Sequence, residues 1–217
     1  MLSAREAYRA WAPTYGADSA VTFLENSLVE AFAVPIAGRT LLDAGCGTGR
    51  RIADTCAALA VGVDFSIEML TASTARTPLA AADVRRLPFG DERFDIVWCR
   101  LVIGYVPDIG IVYGELARVC RRGGTILITD FHPDAAAAGH RRTFRDGAGT
   151  TREIESYVHT AETHMAAATR AGLLPGIRRD GEVGPDVHRF YIEAGKDDLY
   201  ESQRGQRIVL ALEYAKR

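Results

Sequence analysis

The stretch Leu41-Leu42-Asp43-Ala44-Gly45-Cys46-Gly47-Thr48-Gly49-Arg50 constrains the fold more than any other part of the chain. A short apolar run from Arg39 to Asp43 is bounded by turn residues, as a core strand of a parallel sheet is. Three glycines at alternate positions follow. They let the backbone turn sharply, and a ligand can approach it with no Cβ in the way. The residues over about 49–59 are expected to form a helix whose free N–H groups face that ligand. Strand, glycine turn and helix in this order open a doubly wound α/β fold.

Two familiar versions of such a turn do not fit. The dinucleotide fingerprint asks for glycine or alanine at the sixth position counted from Gly45, where Arg50 stands. The phosphate-binding loop ends in Gly-Lys, and no lysine follows any of these glycines. What remains is an acid, Asp43, leading a G-x-G-x-G turn.

Further acids stand at the ends of later strands. Leu59-Ala60-Val61-Gly62-Val63-Asp64 reads as a second strand with a carboxylate at its tip. Doubly wound folds place the acid that grips a ribose there, because a carboxylate accepts both hydrogen bonds of a vicinal diol. The competing role for Asp64 is to cap a helix over 66–76. A weak strand, Leu79–Ala82, ends at Asp83, whose competing role is that of an ordinary turn aspartate. Strand 96–99 comes next. A helix over 108–120 follows, carrying Ile109, Val112, Leu116 and Val119 on one face, and Gly123-Gly124 is expected to stop it. Arg118, Arg121 and Arg122 suit the negative end of that helix. Thr125–Asp130 is the fifth strand.

Before the sheet, residues 3–33 read as helical. Ser3 with Glu6 forms a capping box, and Tyr8, Trp11 and Tyr15 share one face. Pro13 interrupts this helix. A second one, about 18–33, carries Val21, Leu24, Leu28 and Phe32. This leader precedes the sheet and cannot be a crossover within it, so it is expected across the carboxyl ends of the strands. Its aromatic stripe is either plain packing or a cover over a ligand.

The motif at Asp43–Gly49 resembles that of the class I S-adenosylmethionine (SAM) dependent methyltransferases. So do Ala82-Asp83-Val84-Arg85-Arg86-Leu87-Pro88-Phe89 with Phe94-Asp95-Ile96-Val97, and the run from Leu116 to Asp130. The likeness covers Arg39 to Asp130 and points to the small-molecule branch of the ubiquinone and menaquinone methyltransferases. It implies a seven-stranded, mostly parallel Rossmann-like sheet with an N-terminal helical lid. One domain over 1–217 is expected, with a lid at 1–35, a cofactor core at 39–130 and an acceptor-side cover at 131–205. The cofactor implied is SAM. Its implied contacts are Tyr15, Asp43, Gly45, Cys46, Gly47, Gly49, Asp64, Phe65, Met69, Ala82, Asp83, Val84 and Cys99. Many relatives have histidines near the place of Gly104-Tyr105, and this chain has none there.

The acceptor side is less explicit. His132, just past the fifth strand, is the first candidate base, and His159, ending the alternating segment Glu153–His159, the second. Arg141 and Arg142, with His140 and Arg145, are placed to meet an acidic substrate group. His164 and His188 read as structural. Thr160 caps a helix over about 161–171. A strand at about 174–183, a helical insertion at 186–202 and an apolar strand at 208–214 complete a mixed sheet.

Composition narrows the function. A net charge of −2 argues against a polyanion partner, so nucleic acid is not expected. No apolar run reaches the roughly 18 residues of a membrane span, and the first thirty residues show no signal segment. Four scattered cysteines without a C-x-x-C pair suit a reducing cytoplasm, and no metal-ligand spacing occurs. The expected partner is a small-molecule methyl acceptor. The rival readings are an NAD(P)-dependent oxidoreductase, disfavoured by Arg50 and the lack of a Tyr-x-x-x-Lys pair, and a non-catalytic SAM or S-adenosylhomocysteine (SAH) binder.

Overall fold

A computed structural model describes residues 1–16 and 18–217. Its centre is a seven-stranded sheet in the order β3-β2-β1-β4-β5-β9-β8. The strands are β1 Thr40–Ala44, β2 Leu59–Asp64, β3 Leu79–Ala81, β4 Phe94–Arg100, β5 Cys120–Phe131, β8 Leu173–Glu182 and β9 Arg207–Lys216. β1 to β5 run parallel, and β9 lies antiparallel to both β5 and β8. Strand order reverses at β1, whose neighbours are β2 and β4. The crevice of a doubly wound sheet therefore opens above the glycine turn.

Both faces of the sheet are covered. On one face Leu42, Val97, Ile126, Ile128 and Leu210 pack against α4 (Ile109–Val119) and α6 (Ala161–Arg170). On the other, Leu41, Ile96, Trp98 and Leu127 meet Val29 and Phe32, at the end of α2 (Ala20–Ala31), and Ile52. The leader thus divides its work. α2 covers a sheet face beside β8 and β9, where the sequence placed it across the strand ends. α1 (Ala4–Trp11), with the expected Ser3–Glu6 capping box, lies at the carboxyl ends. It packs there on the hairpin of β6 (Thr143–Arg145) and β7 (Thr151–Glu153) through Ala7, Trp11, Phe144 and Ile154.

Three expected elements differ. No helix forms over 49–59. Hydrogen bonds three residues apart, Gly49 N–H to Cys46 O, Ile52 N–H to Gly49 O and Thr55 N–H to Ile52 O, make a string of turns. Consecutive side chains are anchored in different places: Arg50 on Asp18, Arg51 on Glu25, Ile52 in the core. The helix expected over 66–76 shortens to α3, Ile67–Thr71, capped by Ser66. The Gly123-Gly124 pair does not stop α4, which ends at Val119. It forms an irregularity inside β5, where pairing with β4 jumps from Phe94–Cys120 to Ile96–Thr125.

Short helices α5 (Pro133–Ala137), α7 (His188–Glu193) and α8 (Asp197–Gln203) fill the return path to β9. All four cysteines are free thiols. Among the described residues no helix is long and apolar enough to cross a membrane.

Candidate functional site

The glycine turn is built for close approach. Gly45, Gly47 and Gly49 all have positive φ, +89°, +57° and +73°. A Cβ on Gly45 would stand 2.2 Å from Val102 Cγ2, so no other residue fits there. The N–H groups of Gly45 and Cys46 both donate to Val63 O, at 2.7 and 2.9 Å, which ties the turn to β2. Asp64 completes the tie. Its Oδ2 accepts from Gly47 N–H and its Oδ1 from Ser66 N–H, each at 2.8 Å. Burial raises its pKa and those backbone donors pull it down. Each oxygen keeps a lone pair for a ligand hydroxyl.

Asp43 lies beneath the turn, fully buried, and neither carboxylate oxygen has a hydrogen-bond partner among the described residues. Burial pushes its pKa up to about 6, against the pull of Arg51 and Arg100. A buried carboxylate without donors is costly, and it fits a site whose ligand brings an N–H or ammonium.

A cavity of about 670 Å³ opens over these residues. Of the residues expected to touch a cofactor, Tyr15, Gly45, Gly47, Asp64, Phe65, Asp83 and Val84 line it. The others do not. Met69 and Cys99 have no exposed surface, and Met69 Cε packs 3.2 Å from where a Gly47 Cβ would be. Cys46 fills the space beside Gly62, and Ala82 packs on the core under the sheet. Gly49 turns toward Leu79. Met69, Cys99 and Cys46 pack behind the cavity wall, buried in the core. Asp83 lies on the wall but is shared: Arg85 binds both its oxygens and holds its carboxyl below the ordinary range.

The roof is aromatic. Tyr8 stacks on Trp11 with ring centroids 5.7 Å apart and meets Phe65 and Tyr105 edge-on. Trp11 in turn stacks on Phe144 of the hairpin, at 5.2 Å. Tyr8, Trp11 and Tyr15 all line the cavity, so the stripe is packing and cover at once. Burial raises the Tyr8 and Tyr15 hydroxyl pKa values, which keeps both neutral.

The floor holds buried charge pairs, of whose members the sequence reading singled out only Arg142. Glu25, on α2, has no exposed surface and takes Arg100 Nε and Nη2 at 2.7 Å each. Thr129 Oγ1 donates to it at 2.9 Å, and Arg51 Nη2 lies 3.5 Å away. One signal was present: Glu25 sits between Val21, Leu24, Leu28 and Phe32 on an otherwise apolar helix face. A second pair, Asp130 with Arg142, is equally buried, and Asp130 also faces His164, whose Nδ1 is 2.9 Å from Tyr113 Oη.

The two candidate bases lie elsewhere. His132 does not line the main cavity. It caps α5, its Nδ1 accepting from Asp134 N–H at 3.1 Å, while its Nε2 sits 3.3 Å from Arg178. The proline after it starts a helix and turns the ring back toward β8. His159 is buried, with Nε2 bonded to Val106 O at 2.9 Å. Burial lowers the pKa of both. His140, Arg141, Arg142 and Arg145 all line the cavity. No cluster of metal-ligating side chains occurs among the described residues.

Comparison with known proteins gives a consistent result. A model of the methyltransferase domain matches residues 42–128. A phosphatidylethanolamine N-methyltransferase of Cereibacter sphaeroides is 30% identical over 64% of this chain and 76% of its own. A demethylmenaquinone methyltransferase of Mycobacterium tuberculosis is 33% identical over 68% of each chain. Among solved structures, an S-adenosylmethionine dependent methyltransferase from Mesorhizobium loti superimposes with a TM-score of 0.68 over 89% of this chain and 98% of that one, at 19% identity.

Proposed function

The chain belongs to the class I SAM-dependent methyltransferase family, and from that premise we propose that it methylates an O, N or C atom of a small molecule bound beside SAM in the cavity of about 670 Å³. The observation that carries this is the cavity's composition. It joins Gly45, Gly47, Asp64 and Asp83, from the strand ends, to Tyr8, Trp11, Tyr105 and Arg142, from the roof and the segment after β5. The first group suits a nucleoside and an amino-acid end; the second leaves room for another reactant.

SAM, when bound, supplies an electrophilic methyl group on a sulfonium. The chain's own part is to hold, align and keep water out. Asp64 would accept from the two ribose hydroxyls, with Phe65, Asp83 and Val84 along the base. Asp43, fully buried and off the cavity wall, would favour the ammonium of the methionyl end through its charge rather than by contact. The rings of Tyr8, Trp11 and Tyr15 close the crevice above. An acceptor atom that carries a proton has to lose it. Of the histidines among the described residues His140 lines the cavity, with its Nε2 2.8 Å from Gln206 Oε1; a tautomer that donates there leaves Nδ1 as the acceptor nitrogen. That atom is our candidate base for a protonated acceptor; an amine needs none.

Calorimetric titration of the protein with SAM, SAH and NADH tests the cofactor side. SAM and SAH should bind, with Asp64→Ala weakening both at least tenfold, and NADH should not. NADH binding without SAM binding would overturn the reading.

A further inference from the structure

We infer that the acceptor carries an anionic oxygen group, a carboxylate or a phosphate, held by the arginines of the segment between β5 and β7. This rests on the methyltransferase reading above and names the substrate class of the same cavity.

Charge is unevenly placed. The whole chain has a net charge of −2, yet eight arginines and three aspartates line this single cavity. Around the glycine turn most of these arginines are answered: Arg50 by Asp18, Arg51 and Arg100 by Glu25, Arg85 by Asp83. On the acceptor side they are not. Arg145 has no ion pair among the described residues. Arg141 has only Glu153, at 3.9 Å between exposed side chains, a contact of little strength.

Arg142 is the fixed member of the set. It is 7% exposed, and its guanidinium is sandwiched between Tyr105 and Phe131, 4.7 and 4.4 Å from the ring centroids. Nη2 is committed to Asp130, whereas Nη1 is buried with no partner. Asp130 neutralises this arginine alone; Arg141 and Arg145 remain as an excess of positive charge at the mouth. A planar fork with a spare donor, flanked by two flexible arginines, is the arrangement that recognises an oxyanion. The aromatic walls around it favour a flat or apolar body on the same molecule.

The test uses the protein saturated with SAH, so that no turnover is needed, and calorimetric titration with benzoate, phenyl phosphate and benzamide. At least one of the two anions should bind ten times more tightly than benzamide. The stronger of the two identifies the oxyanion. Arg141→Gln combined with Arg145→Gln should weaken that anion about tenfold and leave SAH affinity unchanged. Both positions are exposed, so the double variant tests charge without the folding risk of removing Arg142. Arg142→Lys, which keeps the charge for Asp130 but loses the fork, should weaken the anion by a similar factor. Benzamide binding as well as both anions, or a double variant that binds the anion like the parent, would overturn the inference while leaving the methyltransferase reading intact. Failure of SAH to bind would instead count against the cofactor site itself.

Discussion

Glu25→Gln is the substitution that most directly tests how α2 is fastened to the cofactor floor. The change keeps the side chain's shape and removes its charge. Glu25 accepts two hydrogen bonds from Arg100 and one from Thr129, and it lies within reach of Arg51. Glu25 is 0% exposed and Arg100 4%, so solvent screens almost nothing. The glutamine would offer one acceptor, turn an N–H₂ toward a guanidinium, and leave two arginines facing each other. Removing one partner of a buried pair costs about 3–5 kcal/mol, against about 0–1 for an exposed one. For a chain of this size each kcal/mol lowers Tm by about 2–4 °C, giving a fall of about 6–20 °C.

Urea unfolding followed by circular dichroism reads the loss. A loss below about 1 kcal/mol would refute the argument, because the pair would then behave as a surface contact. A double variant, Glu25→Leu with Arg100→Met, should be more stable than Glu25→Gln, since apolar groups of similar volume replace a buried pair at little cost. The effect also has a pH signature. Burial raises the Glu25 pKa, but the charges of Arg51 and Arg100 and the hydrogen bonds from Arg100 and Thr129 outweigh it, so the folded value lies below the ordinary 4.5. The stabilisation is fully present above 4.5 and is lost as pH falls through the folded value. Parent and variant should therefore differ by a constant amount near neutrality and converge in acid.

Other substitutions isolate other parts of the site. Gly45→Ala puts a Cβ 2.2 Å from Val102 Cγ2 at φ +89°, and should cost at least about 2 kcal/mol in thermal melts, part of it recovered by adding Val102→Ala. SAH affinity should fall as pH drops below about 6, where Asp43 protonates and loses its attraction for an ammonium, by at most about tenfold per pH unit; Asp43→Asn should remove that dependence in titrations at several pH values. His132→Asn keeps an acceptor for the cap of α5 and should leave SAM-dependent turnover, once an acceptor is in hand, within about twofold of the parent. Trp11→Ala removes the stack on Phe144 and should weaken SAH binding several-fold in calorimetry while the sheet's melting changes little.

The sheet was legible because its strands carry their signals locally. The apolar run Leu59–Asp64 coincides with β2, and the glycine turn and acid-tipped strands follow from apolar runs and turn residues, while the closing hairpin follows from the family resemblance. The errors lie where the backbone is set by distant partners. After Gly49 a string of turns stands where a helix is expected, with Arg50, Arg51 and Ile52 fastened to Asp18, Glu25 and the core, partners remote in sequence that no local period reveals. The same holds at Gly123-Gly124, where β4 captures Cys120 and draws the glycines into a strand irregularity.

The site divides along the same line. Gly45 and Gly47 of the turn, and Asp64 and Asp83 at the strand tips, line the cavity, because backbone position puts them there. Those that depend on which way a side chain points, Met69, Cys46 and Cys99, turned into the core. His132 illustrates the limit most sharply. Its place just after β5 is on the ligand side of the sheet, as expected, yet Pro133 makes it a helix cap and aims the ring at Arg178 and Asp180. Eight residues further on, His140 follows the end of α5 and reaches the cavity with Arg141 and Arg142. Position in the topology put both histidines in one segment at the strand ends, and of the two only His140, beyond the short helix, lines the main cavity. If the proposed anion site holds the acceptor, its recognition falls to that return from α5 into β6, and exchanging residues 139–145 between relatives should move acceptor preference while leaving SAM binding in place. Retained acceptor preference in such a chimera, with SAM affinity unaltered, would locate specificity in the roof of α1 instead.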